Sequence, residues 1–219
     1  MDLASLTAFL AELATNNNRT WFEEHKPRYD ALRANFTDLV EEVVFGIAAF
    51  DSRLQGVTAK ECIYRIYRDV RFSKDKTPYK TTFSAAFPRN MAGAGYYFQI
   101  DHTGTLMTAG GYYMPDNDSL ARLRASNAQQ PQRLQALLAD PTFRAALEDP
   151  AAPRLQRPPR GYDETTPLIE MVKLKSFTVA QEVPLRTLDE DNLAPYVVEQ
   201  FRAMYPLVAW LREALGAPA

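Results

Sequence analysis

Cysteine occurs once in this 219-residue chain, at Cys62, and histidine only twice, at His25 and His102. A lone thiol excludes an internal disulfide framework and suits a reducing compartment. These three soft ligands share no repeating spacing, so no metal site is expected. Asp101-His102 reads as part of a turn, and Asp116 and Asp118 read as helix caps. Glycine is sparse as well. Gly93-Ala94-Gly95 and Gly110-Gly111 do not precede a helix at the spacing of a nucleotide-binding loop, so turns or bulges are expected there. Ser73 and Ser84 lack the glycine context of a nucleophile elbow. Cys62, between apolar residues, reads as a small core side chain within a strand. No catalytic residue, cofactor or reaction is assigned, and whether the chain is an enzyme stays open.

No apolar run approaches the ~20 residues that span a bilayer. The opening MDLASLTAFLAELA has no basic start and carries Asp2 and Glu12. It reads as an amphipathic helix and not as a signal peptide, so a cytoplasmic protein without a membrane partner is expected. Apolar residues make up 46% and charged residues 24%, an ordinary globular balance that excludes disorder. The net charge of −2 excludes a protein that coats nucleic acid over its whole surface.

Positive charge nearly balances negative overall, with 25 Lys and Arg against 27 Asp and Glu, but it is concentrated in one place. Arg65 to Lys80 reads RIYRDVRFSKDKTPYK and holds Arg65, Arg68, Arg71, Lys74, Lys76 and Lys80 against Asp69 and Asp75. The segment is net +4 in a chain that is net −2, so everything else carries −6. Tyr64, Tyr67, Phe72 and Tyr79 are interleaved with the cations, which makes the segment a candidate seat for an anion.

Apolar spacing predicts the remaining architecture. Leu3, Leu6, Phe9, Leu10 and Leu13 recur at helical intervals behind Asp2, and Asn16 to Asn18 stop that helix. Asn18 can cap a short turn carrying Trp21 and Phe22, and Pro27 opens a helix running from Tyr29 to about Phe50. Cys62 to Tyr67 is rich in β-branched and aromatic residues and reads as a strand, as does Thr81 to Phe87, ending at Pro88. Residues 96–100 and 105–109 read as a hairpin closed near His102-Thr103-Gly104. Asp116, Pro131 and Asp140-Pro141 then open three helices. A Pro- and Arg-rich stretch over 150–160 is a loop or linker. Leu168 to Leu174 reads as a short helix, Ser176 to Val183 as a strand and Thr187 to Glu190 as a capping box before a C-terminal helix. The fold expected is α+β: a mainly antiparallel sheet over about residues 60–112, flanked by N-terminal and C-terminal helices.

Asn16-Asn17 with Trp21-Phe22 and Tyr29, the whole run Arg65 to Lys80, Gly110-Gly111 with Pro115, and Pro159-Arg160-Gly161-Tyr162 before Leu174-Lys175 form one pattern. It resembles a family of conserved hypothetical proteins classed as a domain of unknown function. The resemblance covers nearly the whole chain. It implies a single domain over 1–219 and carries no activity, substrate or cofactor.

The functional reading therefore rests on residues. Arg65, Arg68, Arg71, Lys74, Lys76 and Lys80, with Asp69 and Tyr79, are candidates for binding a phosphorylated or carboxylated small molecule, since guanidinium forks take such oxygens in pairs. Backbone amides of the Ser73–Thr77 turn can add a nest. Asp69 is expected to organise Arg68 and Arg71 and not to act as an acid. Arg160 and Tyr162 are further candidates beside Gly161, with a plain turn as the competing reading. Two rival functions use the same cations: a nucleic-acid module that stacks bases on Tyr64, Tyr67 or Tyr79, and an interaction protein that docks an acidic partner. A solvated charged loop, with Asp69 and Asp75 paired to neighbours, is the reading without function.

Overall fold

The structure, a computed structural model, describes residues 2–87 and 93–216. In chain order the described elements are helices α1 (Leu3–Thr15), α2 (Arg19–Glu24), α3 (Lys26–Ala48) and α4 (Ala59–Cys62), then strands β1 (Thr82–Phe87), β2 (Gly95–Asp101) and β3 (Thr105–Tyr112). Helices α5 (Asn117–Gln129), α6 (Pro131–Leu137), α7 (Pro141–Glu148) and α8 (Ile169–Val172), strand β4 (Phe177–Pro184) and helix α9 (Leu193–Ala214) complete the order. The four strands form one antiparallel sheet in the order β1-β2-β3-β4, and the fold is α+β with helices at both ends. None of these helices is long and apolar enough to cross a membrane.

The chain resolves into two compact units. The first comprises Met1–Asn90, Tyr97–Thr108 and Gln181–Arg202, and the second Met91–Tyr96, Ala109–Ala180 and Ala203–Ala219. In the first unit the caps fall where the side chains demand. The Asp2 carboxylate accepts the Ser5 N–H at 2.8 Å, and the Asn18 side-chain oxygen accepts the Trp21 N–H at 3.0 Å. Leu6, Phe9, Leu10 and Leu13 of α1 and Phe36, Val40, Val43 and Ile47 of α3 are fully buried, as their helical spacing requires. Phe36 meets Phe83 and Phe98 at ring separations of 5.3 and 5.5 Å, and Phe87 stacks on Phe98 at 5.9 Å.

The hairpin of β2 and β3 forms where the two runs and the turn between them predict it. Tyr96, Phe98 and Ile100 are buried while their neighbours are half-exposed. Its turn is tied by Asp101, whose carboxylate accepts the Thr103 N–H at 2.8 Å and the Thr105 N–H at 3.0 Å. Gly104 at φ 76° closes it.

Three expectations are corrected. Cys62 to Tyr67 is not a regular strand. The Glu61 carboxylate accepts the Thr58 N–H at 2.8 Å and its hydroxyl at 2.7 Å, and this local cap winds Cys62 into α4. Beyond Cys62 the run makes only isolated antiparallel bridges, Ile63 to Ala85 and Tyr67 to Tyr79. The sheet therefore starts at Thr82 and takes β4 as its last strand. Second, Thr187 and Glu190 form no capping box. The Thr187 hydroxyl donates to the Pro184 carbonyl at 2.6 Å, and Glu190 accepts the Leu3 N–H at 2.9 Å. Third, Gly110-Gly111 lies inside β3, which excludes the turn and leaves the bulge of the two readings, the inside–outside alternation breaking there. Pro88, the expected end of β1, lies outside the described residues.

In the second unit Leu123 and Leu134 are fully buried, with Phe143, Leu147, Val172, Leu174 and Phe177. Gly111 explains a close approach there. At φ 126° a Cβ on it would stand 2.0 Å from the Phe177 carbonyl oxygen. Gly111→Ala should therefore cost about 2–5 kcal/mol, from backbone strain plus overpacking. The midpoint of chemical denaturation checks this, and an unchanged midpoint refutes it.

Candidate functional site

The basic segment is an irregular hairpin of the first unit, rooted in the core and exposed at its tip. Its two arms meet through the Arg68 N–H to the Pro78 carbonyl at 2.9 Å and the Lys80 N–H to the Ile66 carbonyl at 2.8 Å. Pro78 has no N–H to continue a ladder, so the arms do not become a regular strand pair.

The root is held by Asn17. Its side-chain N–H donates to the Tyr79 carbonyl at 2.9 Å, and its oxygen accepts the Tyr79 N–H at 3.0 Å. One amide side chain thus satisfies both backbone groups of a residue 62 positions away, as a partner strand would. With Tyr79 so placed, Phe22 stacks on its ring at 4.0 Å and 17°. Phe22 also meets Tyr29 at 5.1 Å, and Tyr67 leans on Tyr79 at 5.4 Å. Tyr79 is 3% exposed, and burial pushes its hydroxyl pKa up. It belongs to the root. Asn17 and Phe22 were not legible as positioning residues, although two asparagines beyond the one needed to end α1 were a signal.

The tip is organised by two internal ion pairs. Arg68 donates to Asp75 and to the Thr77 hydroxyl, and more distantly to the Ser73 hydroxyl at 3.5 Å. Asp75 accepts the Thr77 N–H at 2.9 Å and its hydroxyl at 3.0 Å. The Thr77 N–H, the Arg68 guanidinium and the Thr77 hydroxyl, in that order, pull the Asp75 pKa down to about 2. Arg71 reaches Asp69 through two side-chain bonds of 3.0 and 2.6 Å. This fork and the Arg71 N–H keep Asp69 low, and Asp69 raises Arg71 in return.

The sequence places Asp69 as organiser of both arginines. The structure gives it Arg71 alone and gives Arg68 to Asp75. Two amides of the proposed nest are used internally: the Ser73 N–H donates to the Val70 carbonyl at 3.4 Å and the Thr77 N–H to Asp75. Lys76 donates to the Val70 carbonyl at 2.8 Å, and Lys80 lies 4.9 Å from the Tyr64 ring centroid. Arg65, Lys74 and Lys76 are exposed, and Phe72 is 96% exposed beside Arg71, whose guanidinium lies 5.9 Å from its ring centroid. Arg160 and Tyr162 lie in the second unit. Gly161 at φ 92° forms a turn closed by the Tyr162 N–H to the Pro159 carbonyl at 3.1 Å; Arg160 is exposed and Tyr162 half-buried. Among the described residues no three His, Cys, Asp or Glu side chains gather as a metal ion requires.

Fold and site together define an α+β protein that displays a cationic, aromatic hairpin on a packed root. The family model described as conserved hypothetical protein (DUF2461) matches residues 5–210, and the chain belongs to that family. No curated protein and no solved structure matches it.

Root and tip should respond differently to substitution. Asn17→Ala removes both bonds to a part-buried backbone and should cost about 1–3 kcal/mol. Asp69→Ala breaks only an exposed pair and should leave the denaturation midpoint unchanged. Equal effects would show that the root is not the anchor.

Acid should open the tip late. A carboxyl whose folded pKa is depressed lends stability above its unfolded value and loses it as pH falls through the folded value. For Asp75 that window runs from 3.8 down to about 2. NMR titration of its carboxyl carbon should give a midpoint near the lower end. A midpoint at the ordinary value would mean that the pairing with Arg68 and Thr77 is absent.

Proposed function

We propose that the 65–80 hairpin is an anion-binding surface, and that its ligand is an extended polyanion, a single nucleic-acid strand, ahead of a small phosphorylated or carboxylated molecule. The observation that carries this reading is the joint exposure of cations and rings. Arg65, Lys74 and Lys76 face solvent on the same hairpin as Tyr64 at 37%, Tyr67 at 48% and Phe72 at 96% exposure. Arg68 and Arg71 are paired with Asp75 and Asp69, while Arg65, Lys74 and Lys76 stand exposed beside them. Large rings held in water beside such cations suit bases that stack while phosphates track the charge. A small phosphorylated or carboxylated ligand calls instead for an enclosing concavity. Arg160 and Tyr162 play no part in the reading. We also propose that residues 1–219 act as one domain, which the family match across segments of both units supports. A cytoplasmic setting accords with the single cysteine.

Fluorescence anisotropy with a labelled oligothymidylate tests the reading. Binding should weaken with salt at a log–log slope of roughly −2, from about 0.7 per phosphate for the three exposed cations. Phe72→Ala or Tyr67→Ala should weaken it roughly tenfold, the order of one lost stacking contact. Lys74→Ala with Lys76→Ala should flatten the slope. No binding up to ~10⁻⁴ M oligonucleotide overturns the polymer reading, that being the weak end of non-specific association. A thermal shift with inorganic phosphate or a nucleotide in its place would assign a small ligand.

A further inference from the structure

The first unit holds an open groove far from the hairpin in sequence. It lies between the C-terminal half of α3 and the first turns of α9 and has a volume of about 530 Å³. Glu41, Glu42, Phe45 and Gly46 form one side, and Ala194, Pro195 and Val198 the other. Gly46 sets its floor. A Cβ there would stand 2.5 Å from a Val198 methyl, so the missing side chain lets the two helices close. Phe45 is 82% exposed, although Val43, Val44 and Ile47 around it are buried. A large ring kept in water at the lip of an apolar groove marks a contact surface.

Charge indicates what the groove accepts. Glu41 and Glu42 are exposed on its rim, with Asp38 one turn earlier on the same face of α3. Asp189, Glu190 and Asp191 lead into α9 and are exposed too. An occupant should therefore be cationic and carry an apolar side chain. The chain itself presents such a segment. Phe45 and Phe72 are the two exposed phenylalanines among the described residues, the first set among carboxylates and the second among Arg71, Lys74 and Lys76. Phe72 is 96% exposed, so it is not seated in its own chain's groove.

We propose that the groove receives the basic hairpin of a second copy of this chain, with Phe72 entering beside Phe45 and Arg71, Lys74 and Lys76 meeting Glu41 and Glu42. The contact joins two different surfaces, so it is heterologous and passes head to tail from copy to copy. One loop in one groove is a small interface, so association is weak and concentration-dependent, and its charged rim makes it sensitive to salt.

Sedimentation velocity of the full chain, freed of nucleic acid, tests this. The weight-average sedimentation coefficient should rise with concentration at low salt and fall back at high salt. Phe72→Ser, and Glu41→Lys with Glu42→Lys, should each leave a monomer of unchanged circular dichroism. Mixed together, the two variants should form a 1:1 dimer that grows no further, because each contributes one intact surface. A parent chain that stays monomeric, variants that still associate, or a mixture that stays monomeric overturns the proposal. Capture of an Arg- and Phe-containing peptide by a parent that stays monomeric gives the groove to a foreign partner and overturns it equally. Retained oligonucleotide binding by the Glu41/Glu42 variant separates this outcome from the fate of the anion-binding reading.

Discussion

The two hydrogen bonds between the Asn17 side chain and the Tyr79 backbone are the constraint on which the displayed hairpin depends. A side-chain amide has the same donor and acceptor as a peptide group, so it can stand in for a strand residue where no strand runs. Here it fixes the returning arm of the hairpin against the junction of α1 and α2. That fixing brings the Tyr79 ring onto Phe22, and through Phe22 onto Tyr29 and the buried face of α3. Without it the returning arm would lose its hold on that junction, and the Tyr79 ring its seat on Phe22.

Part of the charge on the hairpin serves its shape. Asp75 is bonded to Arg68 and Thr77, and Asp69 to Arg71. These pairs are exposed or half-exposed, so they lend little global stability, but they set the course of the chain between the two arms. Arg65, Lys74 and Lys76 stay exposed. The acidic groove of α3 and α9 carries part of the opposing excess.

Much of the fold was legible in the sequence. The β2–β3 hairpin followed from two short strand-like runs, 96–100 and 105–109, joined through the turn residues Asp101 to Gly104. The caps at Asp2, Asn18, Asp116 and Asp140 were readable because a cap is a local event, settled within three residues. The strand expected at Cys62 failed for the same locality: Thr58 and Glu61 form a cap whose energy the β-branched run does not outweigh. At the site, composition picked out the hairpin, but not who pairs with whom. Arg68 has Asp69 beside it in sequence and uses Asp75, because a bend brings Asp75 to its guanidinium. Asn17 was invisible as an anchor because its partner lies 62 residues on, and no local pattern encodes such a distance.

The separation of root from tip has a consequence for how this surface can change. The ring stack and the amide clamp act at Phe22, Tyr67 and Tyr79, while Val70 to Lys76 contribute no residue to the buried core. Substitution in that interval alters what the protein meets in solution and leaves its folding nearly untouched. The interval can therefore be exchanged by mutagenesis, as an antibody loop is on its sandwich, while the mount is kept intact.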